Sequence, residues 1–289
     1  PHEHIEELND WFAPYRAARS RRNRKMVENI NALLDGIRLD YDRDVLPLTQ
    51  AADGGGVTER HLMYALAKKM VQKAGKGQPM VDYLASIGLT LSQKQQAQML
   101  DMPYPFYEYD LLGILKSAFV PRIYVDATDE CPPVREVIAL AKETSSIAAY
   151  AYLGDVGSSV TGDKKAQKFE DDYLDLLFET IDDLGYDAVT YMPSRNTLEQ
   201  LERVMTLCDR YGMFQISGED INTPRQKFLS PKLQEPEFRH LIDSTWALIG
   251  HEKMATKDLS LGMFSEQSKA KYPNLKKRIL AYREYGLKK

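Results

Sequence analysis

From Pro132 onward the chain alternates apolar, strand-like runs with amphipathic stretches, and glycines mark two joints, Leu184-Gly185-Tyr186 and Tyr211-Gly212-Met213. This rhythm constrains the fold more than any other feature of the sequence. A glycine just past a helical pattern supplies the positive φ that a helix C-terminus uses to turn into the next strand. Between these marks, Val134–Glu143 is predicted as a helix, Ile147–Leu153 as a strand and Phe169–Leu184 as a helix. Asp187–Met192 follows as a strand, Asn196–Tyr211 as a helix and Met213–Ser217 as a strand. Such alternation builds βαβ units around a parallel sheet. Helices over Glu237–Ile249 and Ser268–Tyr285 are expected to finish the chain.

The first half carries a different pattern. Ile5, Leu8, Trp11, Phe12 and Tyr15 fall at helical spacing within a long helix predicted over Glu3–Leu34, with Pro14 placed to interrupt or restart it. Its basic run, Arg16–Lys25, lacks interleaved exposed aromatics and reads as a solvated helix face. Asp53-Gly-Gly-Gly56 is a loop, and Thr58 is a good N-cap for a helix over Glu59–Lys73. Short helices and a Pro-Tyr-rich turn are expected between Met80 and Ala118.

Composition narrows the function. With 38 basic and 42 acidic residues the net charge is -4, which argues against nucleic acid or an anionic membrane as partner. No apolar run approaches the roughly 20 residues of a membrane span. Cys131 and Cys208 form neither a disulfide framework nor a zinc knuckle, so a reducing cytoplasm is expected. Five histidines are too few for a histidine-rich metal centre. His2-Glu3-His4 has HxH spacing, but it feeds a helix, whereas a metal-binding HxH pair ends a strand, where alternate residues share a face.

In parallel α/β folds, ligands bind beyond the carboxyl ends of the strands. The three predicted ends are Tyr152-Leu-Gly-Asp155, Tyr191-Met-Pro-Ser-Arg-Asn196 and Ser217-Gly-Glu-Asp-Ile-Asn-Thr-Pro-Arg-Gln226. Asp220 follows a strand and a glycine, so its carboxylate is placed to hold a hard cation or orient a water, or else to cap the turn that follows. Arg195 and Arg225 are candidate anion clamps, set against plain surface ion pairs. Lys164 and Lys165 sit on a loop and read first as a solvated charge run, with contact to an anionic substrate as the alternative, and Asp155 is a weaker metal candidate. His61, one turn into its helix, reads either as a structural residue or as a functional one.

Four stretches together resemble the PHP (polymerase and histidinol phosphatase) family, of the predicted metal-dependent phosphoesterase type. They are Arg16–Leu34, Val57–Leu66 with His61 at a histidine position, Ile147–Gly154, and Ile216–Asn222 with Asp220 at an aspartate position. Tyr152 and Asn222 stand where that family would have histidines. The resemblance implies a distorted seven-stranded (β/α)7 TIM-like barrel formed from 1–75 and 120–289, incomplete on its N-terminal side, with a helical insertion at 76–119. It implies divalent metal ions (Zn, Mn or Fe) held by His, Asp and Glu ligands, with Asp220 as the metal ligand retained here. It also implies hydrolysis of a small phosphorylated metabolite or nucleotide. Asp220, Arg195 and Arg225 would then be catalytic, and His61, Tyr152, Asn222 and Lys164 would contact substrate. The early ligands would come from an N-terminal segment or companion chain. The altered histidines leave open a second reading, an impaired relative that binds an anionic ligand as a sensor or scaffold.

Overall fold

Residues 4–157 and 167–288 are described by the computed structural model, and they divide into two units, Glu6–Pro132 and the stretch from Pro133 onward. His2, Lys164 and Lys165 lie outside the described residues.

The first unit is helical. Helix α1 (Ile5–Leu33) continues through Pro14 without a break and buries Met26, Val27 and Ile30. These residues share one core with Leu62 and Leu66 of α2 (Glu59–Ala74) and with Leu115 and Phe119 of α5 (Tyr107–Ile123). Helices α3 (Gln78–Ser86) and α4 (Gln93–Leu100) add Met80, Leu84 and Met99 to the same core. The stretch 76–119 is helical as expected, and its apolar residues share the core begun by α1 and α2.

The basic run on α1 also departs from the expected solvated face. The Glu130 side chain is only 4% exposed and receives Arg22 Nε at 2.7 Å and Arg19 Nε at 3.1 Å. Arg22 reaches Glu59 at 3.2 Å as well. Burying a carboxylate this deeply is costly unless it is paired and hydrogen-bonded, as this one is.

The second unit is α/β. Strands β1 (Ala149–Ala151), β2 (Ala188–Tyr191) and β3 (Phe214–Ser217) form a parallel sheet in the order β1-β2-β3. Ala149 pairs with Ala188, and Ala188 with Phe214. Helix α6 (Val134–Glu143) precedes β1, α7 (Leu174–Leu184) joins β1 to β2, and α8 (Leu198–Tyr211) joins β2 to β3. Gly185 and Gly212 cap α7 and α8 in the left-handed region, with φ of 84° and 67°. The predicted punctuation is therefore what ends these helices.

Both faces of the sheet are covered, as a parallel sheet requires. Val189 and Tyr191 face a core with Phe178 of α7 and Leu201 and Val204 of α8. Ala188 and Phe214 face the other way, against Ala247 of α9 (Arg239–Ala255) and Tyr282 of α11 (Leu275–Leu287). Between those two helices lies the short α10 (Glu266–Lys271). Pro273 falls in the break between α10 and α11, where the sequence predicts one helix over Ser268–Tyr285. Gly250 of α9 and Gly286 of α11 meet backbone to backbone: a Cβ on Gly250 would overlap the Tyr282 carbonyl oxygen, and one on Gly286 that of Trp246.

Three strands among the described residues do not make a seven-stranded barrel. Cys208 of α8 is wholly buried and burial pushes its thiol up to about 12, whereas Cys131 is exposed. No helix among the described residues is long and apolar enough to cross a membrane.

Candidate functional site

The carboxyl ends of β1, β2 and β3 open into three loops, and hydrogen bonds tie each loop to the next. The first loop is held mainly by two acids just before α7. Glu170, itself buried, accepts the Leu153 and Gly154 N–H groups at 3.3 and 3.0 Å and the Tyr150 hydroxyl at 3.0 Å. Asp171 accepts the Tyr152 hydroxyl at 2.5 Å, the Asp155 N–H at 3.0 Å and Gln200 Nε2 at 2.6 Å. Asp155 in turn accepts the Phe169 N–H at 2.5 Å. Gly154 is required here: its φ is +67°, and a Cβ would run into Asn196 and the Tyr152 ring.

These bonds set the electrostatics. Burial would raise the Asp171 carboxyl, but the donors Tyr152, Gln200 and the Asp155 amide outweigh it and hold the group below the usual carboxylate range. Burial, with the bond to Asp171, pushes the Tyr152 hydroxyl well above the ordinary tyrosine value. The proton stays on Tyr152, and its hydroxyl is committed to Asp171.

The second loop crosses to the first. Arg195 Nε donates to the Leu153 carbonyl at 3.1 Å, and Asn196 Nδ2 donates to the same oxygen at 2.7 Å. The Arg195 guanidinium lies 5.6 Å from the centre of the Phe169 ring, with no carboxylate of the described residues within ion-pair distance. The third loop reaches back to the second, because Glu219 accepts both the N–H and the hydroxyl of Ser194, at 2.8 and 2.5 Å.

Asp220 is exposed on the third loop and accepts Asn222 Nδ2 at 2.5 Å. Gln226 closes the same turn: its Oε1 accepts the Asn222 and Thr223 amides at 2.6 and 3.0 Å, and its Nε2 donates to the Asp220 carbonyl at 3.2 Å. Arg225 is exposed on this turn, and its N–H donates to Thr223 Oγ1 at 3.3 Å. The turn-forming alternative for Asp220 thus has direct geometric support.

His61 belongs to the other unit. Its Nδ1 accepts the Thr58 N–H at 3.0 Å, completing a capping box at the start of α2. Burial lowers its pKa, which keeps the ring neutral and able to accept. Arg195, Tyr152, Asp220, Asn222 and Arg225 therefore share one loop rim, His61 caps a helix in the first unit, and Lys164 lies outside the described residues.

Among the described residues, no three His, Cys, Asp or Glu side chains converge to hold a metal ion. Tyr152 is spent on Asp171, Asp220 binds the Asn222 amide, and neither tyrosine nor asparagine is equivalent to imidazole as a ligand. Among the described residues, these strand ends do not supply a complete metal centre.

Sequence reasoning missed Glu170, Asp171, Gln200 and Glu219, which hold the rim together. A usable signal was present in the Glu170-Asp171-Asp172 run, which precedes a helix and lies opposite a glycine-containing strand end.

No family model matches the chain, and no curated protein matches it. Among solved structures, it is similar to a Bifidobacterium adolescentis protein provisionally assigned as a metal-dependent phosphoesterase, at 21% identity and a TM-score of 0.45. The match covers 80% of this chain and 64% of that one, so this chain spans less than two thirds of that protein's length. A likeness at that score transfers no residue role.

Proposed function

We propose that the loop rim holds a small anionic ligand, a phosphorylated metabolite or nucleotide, in the manner of a PHP-type protein whose metal centre has been altered. One observation carries this reading. Arg195 is fixed by the Leu153 carbonyl and the Phe169 ring, yet its charge has no carboxylate partner among the described residues. A guanidinium held in this way is preorganised for a phosphate or carboxylate oxygen. The neighbouring amides of Leu153, Gly154 and Asp155 already serve Glu170 and Asp171, so the arginine supplies the attraction.

A second reading is metal-dependent phosphoester hydrolysis in a TIM-like barrel, with the remaining strands and ligands supplied by a further segment or a companion chain. It is favoured by the exposed position of Asp220 just past β3 and Gly218. One experiment separates the two. Thermal shifts would be measured with inorganic phosphate, AMP and glucose 6-phosphate, with and without chelator, alongside phosphate release in Mn, Zn or Fe. Stabilisation that persists in chelator and disappears in Arg195→Gln supports anion holding. Metal-stimulated turnover that Asp220→Asn abolishes supports hydrolysis. If no anion shifts the transition and no phosphate is released, both readings fail.

A further inference from the structure

Beside the edge strand β3, a second feature stands apart from the strand-end loops. Residues of α8, β3, α9 and α11 line an open cavity of about 730 Å³, to which none of the three loops contributes. That volume is of small-molecule size. Much of the wall is apolar, with Met205, Met213, Leu275 and Ile279.

Arg278 of α11 lines this cavity and is only 7% exposed. Its Nε has no hydrogen-bond partner. The acids around it are engaged elsewhere. Asp209 pairs with Lys276 at 2.8 Å, and Asp243 with Arg283 at 2.7 Å. Asp187, whose charge reaches Arg278, accepts the Ala148 N–H at 3.0 Å and is not within ion-pair distance of the guanidinium. The aromatic ring of Phe264, 5.5 Å from Cζ, is the neighbour on another side. Arginine does not shed its proton in a protein, so this charge stays, and a buried charge without a counter-charge is strongly unfavourable.

We propose that the cavity binds an organic monocarboxylate with an apolar tail, its carboxylate paired with Arg278 and its tail against the Met205–Ile279 wall. The charge balance selects a monoanion. The Asp209–Lys276 and Asp243–Arg283 pairs cancel. His240, which also lines the cavity, is hydrogen-bonded to the Tyr191 hydroxyl at 2.8 Å and to Gln215 at 3.2 Å, and burial lowers its pKa so that it stays neutral. Asp187 acts on Arg278 only from a distance, with its carboxylate turned to the Ala148 N–H, so the guanidinium has no contacting counter-ion. A carboxylate neutralises it, whereas a phosphate dianion would leave a buried negative charge.

The test is a calorimetric titration of the full chain with octanoate, with octanol and inorganic phosphate alongside. Octanoate is expected to bind with one site per chain, octanol roughly tenfold more weakly or worse, and phosphate is expected not to displace octanoate. Arg278→Met is expected to erase the preference for octanoate over octanol, and Arg278→Lys to retain part of it. If octanoate fails to bind the unaltered chain, or binds no better than octanol, the proposal is overturned however the variants fold. A preference that survives in Arg278→Met overturns it equally.

Discussion

Asp171 shows how much of the rim depends on single side chains. Tyr152→Phe removes one of its three donors and nothing else, and is expected to lower stability by about 1 kcal/mol in urea denaturation. The pH dependence follows from the same bonds. The folded pKa of Asp171 lies below its ordinary value of 3.8, so its contribution is complete above that value and is lost as pH falls through the folded pKa. Asp171→Asn is therefore expected to flatten the acid limb of a stability profile measured from pH 6 to pH 2. His61 works in the opposite chemical sense. Its lowered pKa means the unfolded chain binds the proton first, so stability falls as pH drops below 6.5, and His61→Gln should remove that part of the slope. At this scale the sequence was half legible. Tyr152, Arg195 and Asp220 stand out because they end strands. Their partners do not, because Asp171 meets Tyr152 only once the turn before α7 folds back over β1.

Elements were the most legible level, for a local reason. Gly185 and Gly212 end α7 and α8 through their own backbone conformation, and Thr197 caps α8 through a box with Gln200. Such signals act over a few residues and need no tertiary partner. The close approach of α9 and α11 is the contrary case, because nothing local says that Gly250 and Gly286 face each other. Gly250→Ala must push the Tyr282 carbonyl aside and is expected to cost about 3 kcal/mol, read from the shift of the unfolding transition. Gly113→Ala gives the opposite sign. It lies within α5 with open space around it, so roughly 0.5 kcal/mol or more of stabilisation is expected.

The whole molecule was legible where it alternates strand and helix and opaque elsewhere. From Pro133 on, the parallel sheet covered on both faces is what the sequence rhythm implies. Barrel closure does not follow from that rhythm, since the same βα unit serves open and closed sheets. The core of the helical unit from Glu6 to Pro132 is not legible in the sequence, because it draws its residues from separate stretches. Net charge is a property of the whole chain as well. At -4, with Arg19 and Arg22 turned toward Glu130, no mobility shift of single- or double-stranded DNA is expected even at low salt. The two cysteines, finally, make these 289 residues a single-site labelling reagent. At pH 8 the exposed Cys131 should take up a maleimide fluorophore while Cys208, buried and unwilling to ionise, stays unmodified, so a dye can be placed on the helical unit without changing a residue.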